Sequence, residues 1–149
     1  MNTLFGLPVH PLIVHATAVI VPAAALAVLL VTFWPRFRRW AGWGPAAAAA
    51  TALVLVPLTT TSGESLQARL PQSDLIQRHA QLGDTLLPWT IGLLVGAAGL
   101  YWTHRTTGRS YPRRLTVAIA VVSVAAAVGT LVEVVIIGHS GATAAWSDV

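Results

Sequence analysis

Four apolar runs, at about residues 12–34, 45–61, 74–102 and 115–137, divide the chain. Each is near the length of about 20 residues that a helix needs to cross a hydrocarbon core. Such a core offers no water to unpaired backbone groups, so a run that enters it has to bond internally, as a helix does. The fold expected from this pattern is all-α: an integral membrane four-helix up-down bundle, in a single domain over residues 1–149. Composition agrees. Only 9% of the residues are charged and 55% are hydrophobic, whereas a domain bathed in water carries roughly 25% charged residues. Met1–Val9 holds no basic residue. A secretory leader opens with a positive segment, so the first run is expected to be a retained span.

The charges orient the spans. Every basic residue is Arg. Arg36, Arg38 and Arg39 follow the first run, and Arg105, Arg109, Arg113 and Arg114 follow the third. Only Arg69 and Arg78 fall on the opposite side. Short cytoplasmic loops carry the positive excess. Both termini and the 64–73 connection are therefore expected outside, in a multi-pass protein of the cell membrane with the lipid bilayer as its surroundings. Arg confined to short loops between apolar runs is a topology signal, and no nucleic acid partner is expected. The absence of Cys excludes disulfides, thiolate metal sites, Cys-held iron–sulfur clusters and covalent c-type haem.

Local signals place the helix ends. Pro11 suits a first helical turn, where a missing N–H costs nothing. Pro57 lies inside the second run and is expected to bend it. Ser73 is a candidate N-cap, with Asp74 in the first turn against the helix dipole. Leu75, Ile76, His79, Leu82, Gly83 and Leu86 recur at helical spacing, so the third helix is expected to begin ahead of the bilayer. Gly92 and Gly96 form a small-xxx-small pair that permits close helix contact. Each helical hairpin also opens on a His and returns to a Ser-Gly pair, Ser62-Gly63 and Ser140-Gly141. An old duplication accounts for this repeat, and so does chance in a low-complexity apolar sequence.

Five His residues occur. Four of them, His10, His15, His79 and His139, fall at the outer helix ends, and Glu64 closes the second run. His104 alone lies on the Arg-rich side, as a solvated loop residue. Ionisable groups near an apolar layer are costly and tend to have partners or a function. Neutral imidazole is a common metal ligand and also holds haem iron, and bundles build such sites from facing helices. The bland alternative is that each His bonds headgroups, water or backbone. His79 sits on the apolar stripe of its helix and should face the bundle. His10 and His15 are five residues apart, on different faces of a regular helix, and share a site only if His10 precedes the helix. Glu133 is the carboxylate inside the fourth run. It reads equally as a proton relay and as a protonated Glu bonded to a Thr or a carbonyl. No nucleophile–base pair, phosphate-binding glycine loop or His-Glu-x-x-His is present, so catalysis stays open.

The segment Leu7-Pro8-Val9-His10-Pro11-Leu12-Ile13-Val14-His15 resembles the opening signature of domain of unknown function 2231. Thr61-Ser62-Gly63-Glu64-Ser65-Leu66 with Arg78-His79-Ala80 is similar to that family's central connection. Gly138-His139-Ser140-Gly141-Ala142 with Trp146 resembles its actinobacterial branch. The resemblance spans nearly the whole chain. It implies a small bacterial protein with four membrane helices, and it implies that His10, His15 and His79 belong to the family pattern. Some members are joined to a Rieske-type iron–sulfur domain, a hint of redox chemistry.

The leading functional expectation is a small membrane protein whose outer-face histidines bind haem b or a transition metal: zinc, copper or iron. It would serve electron transfer or act as an accessory in a membrane redox complex. His15 and His79 are the expected cofactor pair, with His10, His139 and Glu64 completing a metal site. Two other classes stand beside this. One is a cofactor-free structural subunit or assembly factor, forming homo-oligomers through Ala/Gly-rich faces. The other is a proton-coupled transporter using Glu133.

Overall fold

The computed structural model describes residues 3–4, 7–71, 73–105 and 111–146. A two-residue antiparallel pair comes first, β1 (Thr3–Leu4) with β2 (Leu7–Pro8), in which Thr3 faces Pro8 and Leu4 faces Leu7. The rest is helical: α1 (Val9–Phe33), α2 (Pro35–Ala41), α3 (Gly44–Gln67), α4 (Asp74–Asp84), α5 (Leu86–Arg105) and α6 (Arg113–Trp146). Helices α4 and α5 run on through Thr85, so four helical segments are long and apolar enough to cross a membrane: Val9–Phe33, Gly44–Gln67, Asp74–Arg105 and Arg113–Trp146.

The helices outrun the apolar stretches that announce them. The second run stops near residue 61, yet α3 continues to Gln67 and takes in Ser62, Gly63 and Glu64. The fourth run stops near residue 137, yet α6 continues to Trp146. Hydropathy marks the part of a helix that meets lipid. The backbone ladder is indifferent to that boundary, and small polar residues extend it: Ser65 bonds back to the Thr61 carbonyl and Thr143 to that of His139. Pro57 lies within an unbroken α3. Helix α4 begins at Asp74, as the stripe requires. Ser73 sits at the N-cap position with extended backbone, but its side chain makes no capping bond.

Helix α1 packs on α3 and α6, and α5 packs on α3 and α6. Between them Val21, Ala24, Ala25 and Val28 of α1 meet Ala49, Ala52 and Val56 of α3, Leu93 and Ala97 of α5, and Ala126 and Ala127 of α6. Small residues set the spacing. A Cβ at Gly96 would lie 2.9 Å from the Ser123 Cα and 2.6 Å from its Oγ, so α5 and α6 approach here as closely as two backbones allow. The Gly92–Gly96 pair is thus used within the chain. Buried hydroxyls bond to their own helix: Thr130 to the Ala126 carbonyl and Ser123 to that of Ile119. Among the described residues no buried side-chain nitrogen or oxygen lacks a partner, as a medium without water demands.

The two ends of the bundle differ. At one, Arg38 of α2 folds back over the last turn of α1. Its Nε donates to the Val31 carbonyl at 2.6 Å and Nη2 to the Thr32 carbonyl at 2.7 Å. These are among the carbonyls that a helix end leaves without an internal partner. Nη1 reaches His104 Nε2 at 2.8 Å. His104 is exposed, as expected of a solvated residue, but it is not in a loop. It belongs to the last turn of α5 and receives a bond from Arg38. Burial lowers the Arg38 pKa from its ordinary value, yet a guanidinium keeps its charge at any physiological pH. Trp34, Trp40, Trp43 and Trp102 are exposed at the same end, and Trp is a residue type enriched at membrane interfaces. The opposite end holds His10, His15, His79 and Glu64.

Candidate functional site

The first turn of α1 brings His10 against the last turns of α3. His10 Nδ1 lies 3.0 Å from Ser62 Oγ. Sixty-nine residues on, α4 brings His79 against the last turns of α6, with His79 Nδ1 2.9 Å from Ser140 Oγ. The likeness extends to the next residue. A Cβ at Gly63 would lie 3.0 Å from His10 Cε1, and a Cβ at Gly141 would lie 2.9 Å from His79 Cε1. Each imidazole therefore rests on a glycine and bonds the serine before it. The repeated Ser-Gly pairs of the sequence perform one and the same task in both hairpins.

Both rings border a cavity of about 780 Å³ between α1, α3, α4 and α6. Its walls are chiefly apolar, with Val14, Leu66, Ile76 and Ile137 among them. The polar members are few: His10, His15 and His79, the carboxylates Glu64 and Asp84, and Gln67 with Thr17, Thr59 and Thr60. An apolar concavity of a few hundred to a thousand Å³ with a handful of convergent polar groups is the usual form of a small-molecule site.

His15 is exposed, and its Nδ1 lies 2.6 Å from the Pro11 carbonyl, one turn back in its own helix. It still lines the cavity. His10 lies inside α1, not ahead of it, and both residues reach the cavity because it is wide enough to border two faces of one helix. His139 is exposed and does not contribute to the lining. Its ring stands one position before Ser140, on a different side of α6. Among the described residues no group of three or more His, Cys, Asp or Glu side chains comes together to hold a metal ion. The expected set of His10, His15, His79, His139 and Glu64 is not drawn into one coordination sphere, because the helix ends that carry it stand around a cavity rather than against one another.

Glu133 lies outside this lining. Its Oε2 accepts a hydrogen bond from Thr85 Oγ1 at 3.1 Å, at the joint of α4 and α5. A proton relay and a structural Glu can both accept this bond, so the Thr85 partner fits either expected role. Three features escape sequence reasoning. Asp84 ends the amphipathic stretch of α4, which was the signal available for it. Ser62 and Ser140 showed as a repeat, without a task. The Arg38–His104 contact left no trace at all.

Four long apolar helices packed as one bundle, with tryptophan and arginine gathered at one end, define an integral membrane protein. The chain matches, over residues 6–149, the family model described as predicted membrane protein (DUF2231). It belongs to that family. No curated protein and no solved structure matches it.

Proposed function

We propose that this protein binds haem b in the histidine-lined cavity and passes single electrons, as a carrier or accessory within a membrane redox complex. The observation that carries the reading is the pair of equivalent imidazoles, each fixed by a serine, on one apolar cavity. Haem iron needs one or two axial side chains, and its macrocycle needs an apolar enclosure. A bare zinc ion needs three or four protein ligands in one tetrahedral set, which the described residues do not assemble. The cavity is also far larger than an ion requires. His10 and His79 are the pair favoured here, in place of His15 and His79, because both are half-buried and held across helices. His15, exposed and bonded within its own helix, stands at the rim.

The same reading places the histidine end outside. With the four spans alternating in direction, the connections after the first and third spans carry seven Arg in the sequence, against Arg69 and Arg78 near the one after the second, and the positive-inside rule then sets both termini outside.

Absorption spectroscopy of the purified protein titrated with haemin tests the proposal. A Soret band that saturates at one haem per chain, and that His79→Ala removes, is the expected result. No Soret band in either the isolated or the haemin-treated protein overturns it. A cofactor-free structural subunit or assembly factor then becomes the better account.

A further inference from the structure

The ligand class follows from where the protons sit. Ser62 Oγ lies 2.9 Å from the Thr59 carbonyl and Ser140 Oγ lies 2.8 Å from the Ile137 carbonyl. A carbonyl only accepts, and a serine hydroxyl has one proton to give. In each pair that proton goes to the carbonyl of the serine's own helix. The oxygen then faces the imidazole with a lone pair, and the imidazole Nδ1 has to be the donor. For His15 the argument is shorter, because its Nδ1 faces the Pro11 carbonyl directly. Three rings on one cavity thus spend their N–H on the protein. In the neutral imidazole the other nitrogen, Nε2, keeps an unshared pair.

Resting on the haem reading above, we propose that Ser62 and Ser140 are positioning residues that hold His10 and His79 as Nδ1–H tautomers, so that the cavity selects a ligand that accepts electron pairs. A metal centre carried by a macrocycle is such a ligand. A quinone carbonyl or a carboxylate is not, since it would set its own lone pairs against those of Nε2. The arrangement is the one metal-binding histidines commonly use, with the remote N–H given to an oxygen that fixes the ring and raises its basicity. Gly63 and Gly141 serve it by admitting each ring close to the helix backbone.

Nitrogen-15 NMR of the ligand-free protein in detergent micelles reads the tautomers without any cofactor. His10 and His79 resonances are assigned by single His→Asn variants. Both rings are expected as Nδ1–H at a pH where they are neutral. Ser62→Ala and Ser140→Ala are each expected to mix the tautomers at the facing ring, and Ser140→Thr, which restores the hydroxyl, to recover the original state. In haemin titrations the two Ala variants should weaken binding by about 10–100-fold, the usual effect of losing such a partner. Finding Nε2–H at His10 and His79 overturns the proposal even if haemin binds. Finding Nδ1–H without haemin uptake overturns the haem reading alone and leaves the tautomers as assigned. A ubiquinone analogue that shifts the His10 and His79 resonances, where haemin does not, overturns the ligand class.

Discussion

Arg38 joins two helix ends, because its Nη1 reaches His104 Nε2, 66 residues on, at 2.8 Å while Nε and Nη2 hold the Val31 and Thr32 carbonyls. One planar fork thereby closes the last turn of α1 and fastens it to the last turn of α5. Only a guanidinium offers this many donors in fixed directions.

Replacing Arg38 should accordingly cost more than its exposed neighbours do. Hydrogen bonds to a charged group contribute about 1.5–3 kcal/mol each when well shielded. Arg38 is half-buried, so a total near the lower end of that range is expected for Arg38→Ala. Arg38→Lys should recover little of it, since a single ammonium cannot serve three acceptors. Arg39→Ala, on an exposed side chain, should be near neutral. Thermal unfolding in detergent measures all three, and equal midpoints for the Arg38 and Arg39 variants would sink the argument.

The close α5–α6 contact makes a second contrast. A side chain at Gly96 meets the Ser123 backbone at 2.9 Å, so Gly96→Leu has to push two helices apart. Overpacking of this kind costs typically about 1–3 kcal/mol, and here it should also lower the yield of folded protein. At Gly138 an added Cβ meets nothing within 4 Å. Gly138→Ala should therefore be harmless, or stabilising by roughly 0.5–1 kcal/mol from the better helix former. Gel-filtration yield and unfolding midpoint compare the two, and tolerance of Gly96→Leu would contradict the packing described.

Orientation is open to a direct measurement. Seven Arg in the sequence after the first and third spans, against two after the second, predict that a phosphatase reporter fused after Val149 is active outside the cytoplasm, and that a fluorescent reporter fused there stays dark if exported unfolded. Moving the balance should move the protein. Replacing Arg36, Arg39, Arg113 and Arg114 with Gln, while adding Arg beside Arg69, should yield a mixed or inverted topology. A bright cytoplasmic fusion in the unaltered chain would reverse the assignment.

How much of this was legible depended on which physical quantity each residue reports. The four spans were, because a bilayer imposes a length that apolar residues have to fill. Their ends were not: residues 62–67 and 138–146 are polar enough to read as loop, and only the backbone ladder shows them to be helix. His79 was placed by its stripe and His10 by its position. Their partners were not, since a serine's proton is committed by its own helix and leaves no mark on spacing. His104 is exposed as expected, but its bond to Arg38 went unread because that partner is 66 positions away. Where a property is local or periodic the sequence carries it, and where it depends on which helix lies opposite, it needs the packing.

The duplicated seat of the imidazoles allows a last and sharper test. His10 on Gly63 and His79 on Gly141 have nearly equal clearances, 3.0 and 2.9 Å to an added Cβ. Contacts at that distance are tighter than ordinary, so Gly63→Ala and Gly141→Ala should each tilt the facing ring and loosen its bond to Ser62 or Ser140. Neither change introduces charge or removes a span, so insertion should be unaffected. If the two rings serve one ligand, either substitution alone should lower haemin affinity to a similar degree. The double variant should then fall short of the product of the two effects, because once one ring has let go the other no longer holds the same complex. If instead the rings act separately, on two independent haemin equilibria, each substitution should weaken only its own equilibrium, and the double variant should show both weakened and nothing more. Titrations of the two single variants and the double variant, read at the Soret band, distinguish these outcomes. Full haemin affinity in both single variants would show that the glycine seats, alike as they are, do not govern the site.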